Sequence, residues 1–178
     1  EHKTLAFSEL RLPLGGKDQM LTPAMEGRIL HEVEIESTDN VLVIGSGSGF
    51  LAALAAHLGE KVTAIDINPD YTATAQKNID QLNIDNATLL TVDVKDFTVE
   101  KNSYDVIIMT GSVLEAPQKL LDALKAGGRL LAFIGQQDQT VTSGTVFINQ
   151  LSEIRQDSRF EIELERLNGF EDKPQFVF

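Results

Sequence analysis

Short unbroken apolar runs alternate with apolar residues at helical spacing along most of this 178-residue chain. Residues 41–44 (Val-Leu-Val-Ile) form a short apolar strand, 104–109 is a nearly unbroken apolar run of the kind found in buried parallel strands, and 62–66 and 129–134 read as further strands. Helical patterns lie between them. Thr22-Pro23 reads as an N-cap with proline at the first helical position, opening a helix to about residue 35 whose Met25, Ile29, Leu30 and Val33 share one face. Residues 50–58 predict a second helix, and Asn68-Pro69 caps a third with Tyr71, Ala75 and Ile79 at four-residue steps. A strand at 88–92 ends in Asp93, and 117–126 reads as a helix stopped by Gly127-Gly128. Beyond it, 145–151 and 160–167 alternate apolar and polar residues and predict two closing antiparallel strands, with the polar stretch 136–144 as a mobile loop. This alternation with short connections predicts an α/β fold with a doubly wound, mostly parallel sheet. The length fits one domain: a lead-in segment (1–22), a core (23–135) and closing strands (136–178).

Composition narrows the chemistry. A net charge of −12 argues against nucleic acid as a partner, because that affinity comes from lysine and arginine displacing counterions. No apolar stretch is long enough to cross a bilayer, so no membrane association is expected. Zero cysteines exclude disulfides, thiolate metal sites and a cysteine nucleophile, and they agree with a cytoplasmic protein. The chain opens on Glu1 rather than methionine, and further sequence upstream is expected. His31 and His57 fall on amphipathic helices and His2 in the terminal segment, where solvated or packing roles are the ordinary ones. No metal is expected, since no carboxylates cluster near the crevice beyond Asp66 and Asp93.

The sharpest signal is Gly45-Ser-Gly47-Ser-Gly49 directly after the 41–44 strand, with Asp66 closing the next strand. In an open parallel sheet, the crevice beyond the carboxyl ends of the strands is where nucleotide-like ligands lie. Dinucleotide binders use G-x-G-x-x-G, which requires glycine at position 50, where Phe50 stands. Gly45-x-Gly47-x-Gly49 is instead similar to the loop of methyltransferases that bind S-adenosylmethionine. Asp66 can accept hydrogen bonds from ribose hydroxyls, and Asp93 from an adenine amino group; a strand-terminal turn is the alternative role for Asp93. Asp105, at the opposite end of its strand, is read as structural.

Over nearly its whole length the chain resembles the protein-L-isoaspartate O-methyltransferases, in a divergent bacterial branch. The matching pieces are 41–50, 62–66, Thr91-Val-Asp93, 104–110, 124–131 and Ile134-Gly135, with 14–25 (Leu-Gly-Gly-Lys-Asp-Gln-Met-Leu-Thr-Pro-Ala-Met) as the most specific segment. The ending Pro174-Gln-Phe-Val-Phe178 matches too, whereas the further N-terminal helical segment usual in that family is not in this sequence. Two positions depart from the family pattern. Leu21 stands where a serine is usual, and Val43 where an acid is usual.

The resemblance implies a class I, Rossmann-like fold using S-adenosylmethionine, with S-adenosylhomocysteine as product. It places Gly45, Ser46, Gly47 and Gly49 at the methionine portion, Asp66 at the ribose and Asp93 at the adenine. Ile67, Val94 and Thr110 complete the cofactor set. Thr22 is the candidate catalytic hydroxyl, with helix capping as its alternative role. The implied activity is carboxyl methylation of isoaspartyl residues in a protein or peptide substrate. A carboxylate is already ionised at pH 7, so this methyl transfer needs alignment and exclusion of water rather than a general base. The competing reading is a member that binds the cofactor or a protein partner without isoaspartyl methylation.

Overall fold

The computed structural model describes residues 9–15, 18–137, 139–151 and 153–170. The stretch before the first helix, expected only as a lead-in, forms a small antiparallel ribbon, β1 (Pro13–Gly15) and β2 (Asp18–Gln19). Helix α1 (Pro23–Val33) follows, and then the alternation β3 (Asn40–Ile44), α2 (Phe50–Leu58), β4 (Lys61–Asp66), α3 (Pro69–Gln81) and β5 (Ala87–Thr91). After β6 (Tyr104–Val113), the short α4 (Gln118–Asp122) leads into β7 (Leu124–Gly135), β8 (Val141–Asn149) and β9 (Ile154–Glu163). The central sheet has the order β5-β4-β3-β6-β7-β8-β9. Its first five strands pair in parallel, and β8 and β9 pair antiparallel to their neighbours.

This is the expected doubly wound sheet. The unbroken apolar runs are buried on both faces: Val41, Val43, Val106 and Ile108 pack against α1 and α2. Leu42, Ile44, Ile107 and Met109 pack with Leu120 of α4 and Val94 on the other side. Thr22 Oγ1 accepts the Met25 N–H (3.3 Å), so the N-cap forms as expected. α1 stops at Val33, two residues early, with Glu34 left-handed at φ 46°. Arg129 of β7 donates to the Val33 and Glu34 carbonyls and pairs with Asp39 at 2.8 Å, which fixes the exposed end of this helix on the sheet. Asp105 accepts from the Asn40 N–H (2.8 Å) and from Lys125 Nζ (2.7 Å), so it braces the sheet end away from the crevice.

Three expectations are corrected. Gly127-Gly128 does not stop a long helix: α4 ends at Asp122, and both glycines lie inside β7. There Leu124 pairs with Tyr104 and Arg129 with Val106, so five steps on one strand face two on the other. The extra residues are thrown out as a bulge that Gly127, at φ 78°, can adopt. The closing strands lie earlier than 145–151 and 160–167, since the reversal falls around Leu151, which is 85% exposed with φ 66°. The stretch 136–144 accordingly gives its last residues to β8, whose Thr142 is buried and donates to Ile162 O. The matched ending 174–178 and His2 lie outside the described residues.

Candidate active site

The chain runs from β3 outward to β4 and β5, then returns to β6 on the other side of β3. That reversal opens a crevice beyond the carboxyl ends of β3 and β6, the place where open α/β sheets hold ligands. The crevice encloses about 820 Å3 of empty space, part of it open to solvent.

The glycine loop forms its floor. Gly45, Gly47 and Gly49 all have positive φ (87°, 51° and 83°), a conformation that side chains with Cβ resist. At Gly45 an added Cβ would overlap the Thr110 hydroxyl and approach Leu167 Cδ1 to 2.9 Å. At Gly49 it would meet Ala75 Cβ at 2.9 Å, so this glycine serves the close approach of α2 to α3. The Gly45 and Ser46 amides both donate to Ile65 O (2.9 and 3.1 Å), which ties the start of the loop to β4.

Asp66 is 7% exposed. Its Oδ2 accepts the Gly47 N–H and its Oδ1 the Asn68 N–H, each at 2.9 Å. An ionised carboxylate offers about four acceptor sites, so roughly two remain for a ligand in the crevice. Burial raises its pKa, partly offset by the two amides, and the charge of Asp18 pushes it in the same direction as burial.

The walls are apolar, from Ile44, Ile65, Ile67 and Val92 with Val94. Thr110 sits where β6 bulges: Ile108 pairs with Leu131 and Ser112 with Phe133, leaving Met109, Thr110 and Gly111 against a single partner residue. Its hydroxyl lies 2.7 Å from Gly45 O and 3.1 Å from Ile44 O, so it holds the loop.

The roof was not foreseen from sequence. It comes from the ribbon before α1 and from residues 164–168 after β9. Leu14 covers Gly47. Tyr71 donates to Gly15 O (3.0 Å) or Asp18 Oδ2 (2.9 Å), and Asn168 Nδ2 reaches the same Asp18 oxygen at 2.9 Å. Burial first, and then the hydrogen bond to Asp18, push the Tyr71 hydroxyl up to about 12, so it stays a donor. Residues 165–167 run beside β6, exchanging backbone hydrogen bonds with Ser112 at 2.9 Å. Gly111 has no Cβ where Leu167 comes closest. Arg11 and Arg166 bring positive charge to the rim.

A smaller chamber adjoins the crevice under the loop, lined by Ser46, Phe50, Leu51, Leu21 and Glu26 among others. Glu26 is 5% exposed, and burial pushes its carboxyl up to about 8. Sequence reasoning passed over it.

Of the expected site residues, Gly45, Gly47, Asp66, Ile67, Val94 and Thr110 come together around the crevice, and Ser46 lines the chamber. Asp93 does not line either space: its Oδ1 accepts the Lys95 N–H (2.8 Å) in a strand-terminal turn. Thr22 does not line them either, and its oxygen accepts the Met25 N–H in capping α1.

A model of the protein-L-isoaspartate(D-aspartate) O-methyltransferase (PCMT) family matches residues 1–159. This chain belongs to that family.

Among curated PCMT relatives, the protein-L-isoaspartate O-methyltransferase of Methanoculleus marisnigri is 33% identical over 134 residues, 75% of this chain and 61% of the relative. The Ruegeria pomeroyi protein of the same name is 31% identical over 137 residues, 77% of this chain and 64% of its own length. This chain therefore spans somewhat under two thirds of the curated relatives it matches. A Plasmodium falciparum beta-aspartate methyltransferase (PCMT), solved with S-adenosyl-L-homocysteine, superposes with a TM-score of 0.80 over 93% of this chain and 83% of its own, at 19% identity. That likeness establishes the class I methyltransferase fold.

Against the PCMT pattern, the two departures have physical places here. Leu21 is 8% exposed and joins the α1–α2 core while lining the chamber. Val43 is fully buried in the same core, against the sheet face that α1 and α2 cover.

Proposed function

We propose that this chain binds S-adenosylmethionine in the crevice and transfers its methyl group to the side-chain carboxylate of an isoaspartyl residue in a protein or peptide. The observation that carries this reading is the Asp66 carboxylate. It is pinned by two backbone amides at the carboxyl end of β4 and keeps free acceptor sites for a pair of ribose hydroxyls. The residues present fit the cofactor: an acceptor for ribose, apolar walls for a base, and a loop whose backbone approaches closely because it has no side chains.

When bound, the cofactor supplies a methyl group on a positively charged sulfur. This chain's residues then have three tasks. Asp66 and the loop orient the ligand, and Ile67 with Val94 hold its base. The roof built by Leu14 and Leu167 excludes water, which favours an in-line displacement between aligned partners. Arg11 and Arg166 draw an anionic acceptor to the rim. The acceptor carboxylate needs no proton removed. An acidic chain without cysteine agrees with a protein acceptor rather than nucleic acid and with a cytoplasmic setting.

A second reading, cofactor binding without isoaspartyl methylation, is favoured by one feature. The segment before α1 presents Leu21, which has no donor, to the chamber, and Thr22, whose oxygen accepts the Met25 N–H in the helix cap, lines neither the chamber nor the crevice. The deciding experiment is calorimetry with S-adenosylhomocysteine followed by single-turnover methyl transfer to an isoaspartyl peptide and its aspartyl counterpart. Transfer to the isoaspartyl peptide alone supports the first reading. Binding without transfer supports the second, and no binding at millimolar ligand sinks both.

A further inference from the structure

Helix α1 carries a buried carboxyl group with one oxygen that no described residue satisfies. Glu26 is 5% exposed, and among the described residues its Oε2 has no hydrogen-bond partner. Ser46 Oγ, on a residue also 5% exposed, has none either. Both line the chamber under the glycine loop. The lead-in ribbon, the loop, α2 and β6 supply the rest of its lining, and among the described residues none of them presents an ionisable side chain to it. On the same helix Arg28 and Glu32 are paired with each other at 3.0 Å, and Asp66 belongs to the neighbouring crevice. A buried carboxyl left unpaired costs free energy that an apolar side chain at that position would not.

The chamber is continuous with the crevice: Leu14, Met20, Gly45, Gly47 and Thr110 line both. A ligand whose ribose rests on Asp66 reaches Glu26 by passing over Gly45 and Gly47. What a carboxyl and a hydroxyl call for at that point is a compact donor with several hydrogens and a positive charge. An ammonium group has three hydrogens to donate and no need to accept.

We propose that Glu26, with Ser46 in the same chamber, receives the α-ammonium of the amino-acid portion of an S-adenosyl ligand. This rests on the reading of the crevice as an S-adenosyl site. The assignment also separates two charges. With the ammonium paired to Glu26, the chamber offers an acceptor carboxylate no unpaired positive charge and leaves it to the rim, where Arg11 and Arg166 stand.

In the free protein burial keeps Glu26 protonated near pH 7, since its carboxyl is pushed up to about 8. Pairing with an ammonium ionises it, so binding releases a proton to solvent.

The test is isothermal calorimetry on the parent and on Glu26→Gln and Glu26→Leu, from pH 6 to 8.5 and in two buffers of different ionisation enthalpy. The probes are S-adenosylhomocysteine and 5′-methylthioadenosine, which lacks the amino-acid portion. Both variants should bind S-adenosylhomocysteine at least about tenfold more weakly, the scale of a lost charge-assisted hydrogen bond. They should bind 5′-methylthioadenosine as the parent does, which also reports that they are folded. Near pH 7 the parent should release close to one proton per S-adenosylhomocysteine bound and bind it more tightly as pH rises toward 8, whereas the variants should do neither. Parental affinity for S-adenosylhomocysteine in a variant, or equal losses for both ligands, overturns the assignment. A parent that binds neither ligand overturns the S-adenosyl reading itself and this one with it.

Discussion

Folding of this chain should take up a proton at Glu26, and that uptake is measurable with no ligand present. In the unfolded chain the carboxyl has its ordinary value of 4.5; in the folded chain burial holds it at about 8. A group whose pKa is raised on folding stabilises the folded state fully below its unfolded value, and this contribution is lost as pH rises through the folded value. The window is therefore about pH 4.5 to 8. Each unit of difference is about 1.4 kcal/mol, so between pH 5 and pH 7 the parent should lose about 2–3 kcal/mol through this one group. Glu26→Gln keeps the shape and cannot titrate. Urea denaturation of parent and variant at half-unit steps from pH 5 to 8.5 gives both curves, and other titrating groups, Asp66 included, cancel in their difference. The variant should gain on the parent by about 2–3 kcal/mol between pH 5 and pH 7, with the difference flattening above pH 8. Parallel curves would show that Glu26 is solvated or already paired, and would refute the argument from burial.

Asp66→Ala should weaken S-adenosylhomocysteine binding by about 2 kcal/mol, roughly thirtyfold, with the sheet intact by circular dichroism; unchanged affinity would mean the ligand lies elsewhere. Gly45→Ala should be destabilised by at least about 1–2 kcal/mol from the left-handed backbone alone, and pairing it with Thr110→Ala should recover only the part due to the overlap with the Thr110 hydroxyl. Leu21→Ser should cost about 2–4 kcal/mol in urea titrations because Leu21 is core. If a hydroxyl there orients the acceptor, single-turnover transfer to an isoaspartyl peptide should rise by about one to two powers of ten.

What the sequence disclosed was what local pattern controls. The runs at 41–44 and 106–109 are buried from both sides, and a strand buried that way has no polar alternation to confuse its reading. The glycine loop and Asp66 were legible for a similar reason, since positive φ and a strand-end acid leave residue-type marks. Asp93 carried the same kind of mark, yet its carboxylate lines the turn to Lys95 and not the crevice, because a strand-end aspartate satisfies a turn as well as a ligand. Glu26 was missed although a signal existed. It stands in helical phase with Ile29 and Val33, both fully buried, so an acid on that stripe points inward. The roof left no such trace. Leu164 and Leu167 fall within the segment 160–167 that reads as a closing strand, and only the tertiary path beside β6 turns them into a cover for the crevice.

That roof also orders events in time. Arg11 reaches Glu163 O across 152 residues, and Asn168 meets Asp18 across 150. Strands β3 to β7, by contrast, can pair once the chain has been made as far as Gly135. During synthesis, which delivers the chain N-terminus first, the parallel strands and the glycine loop exist while the C-terminal half of the roof is still being made. Drawing such distant segments together then costs entropy that only the finished contacts repay. A nascent chain thus holds an open trough, and the ability to grip a ligand arrives with almost the last residues described.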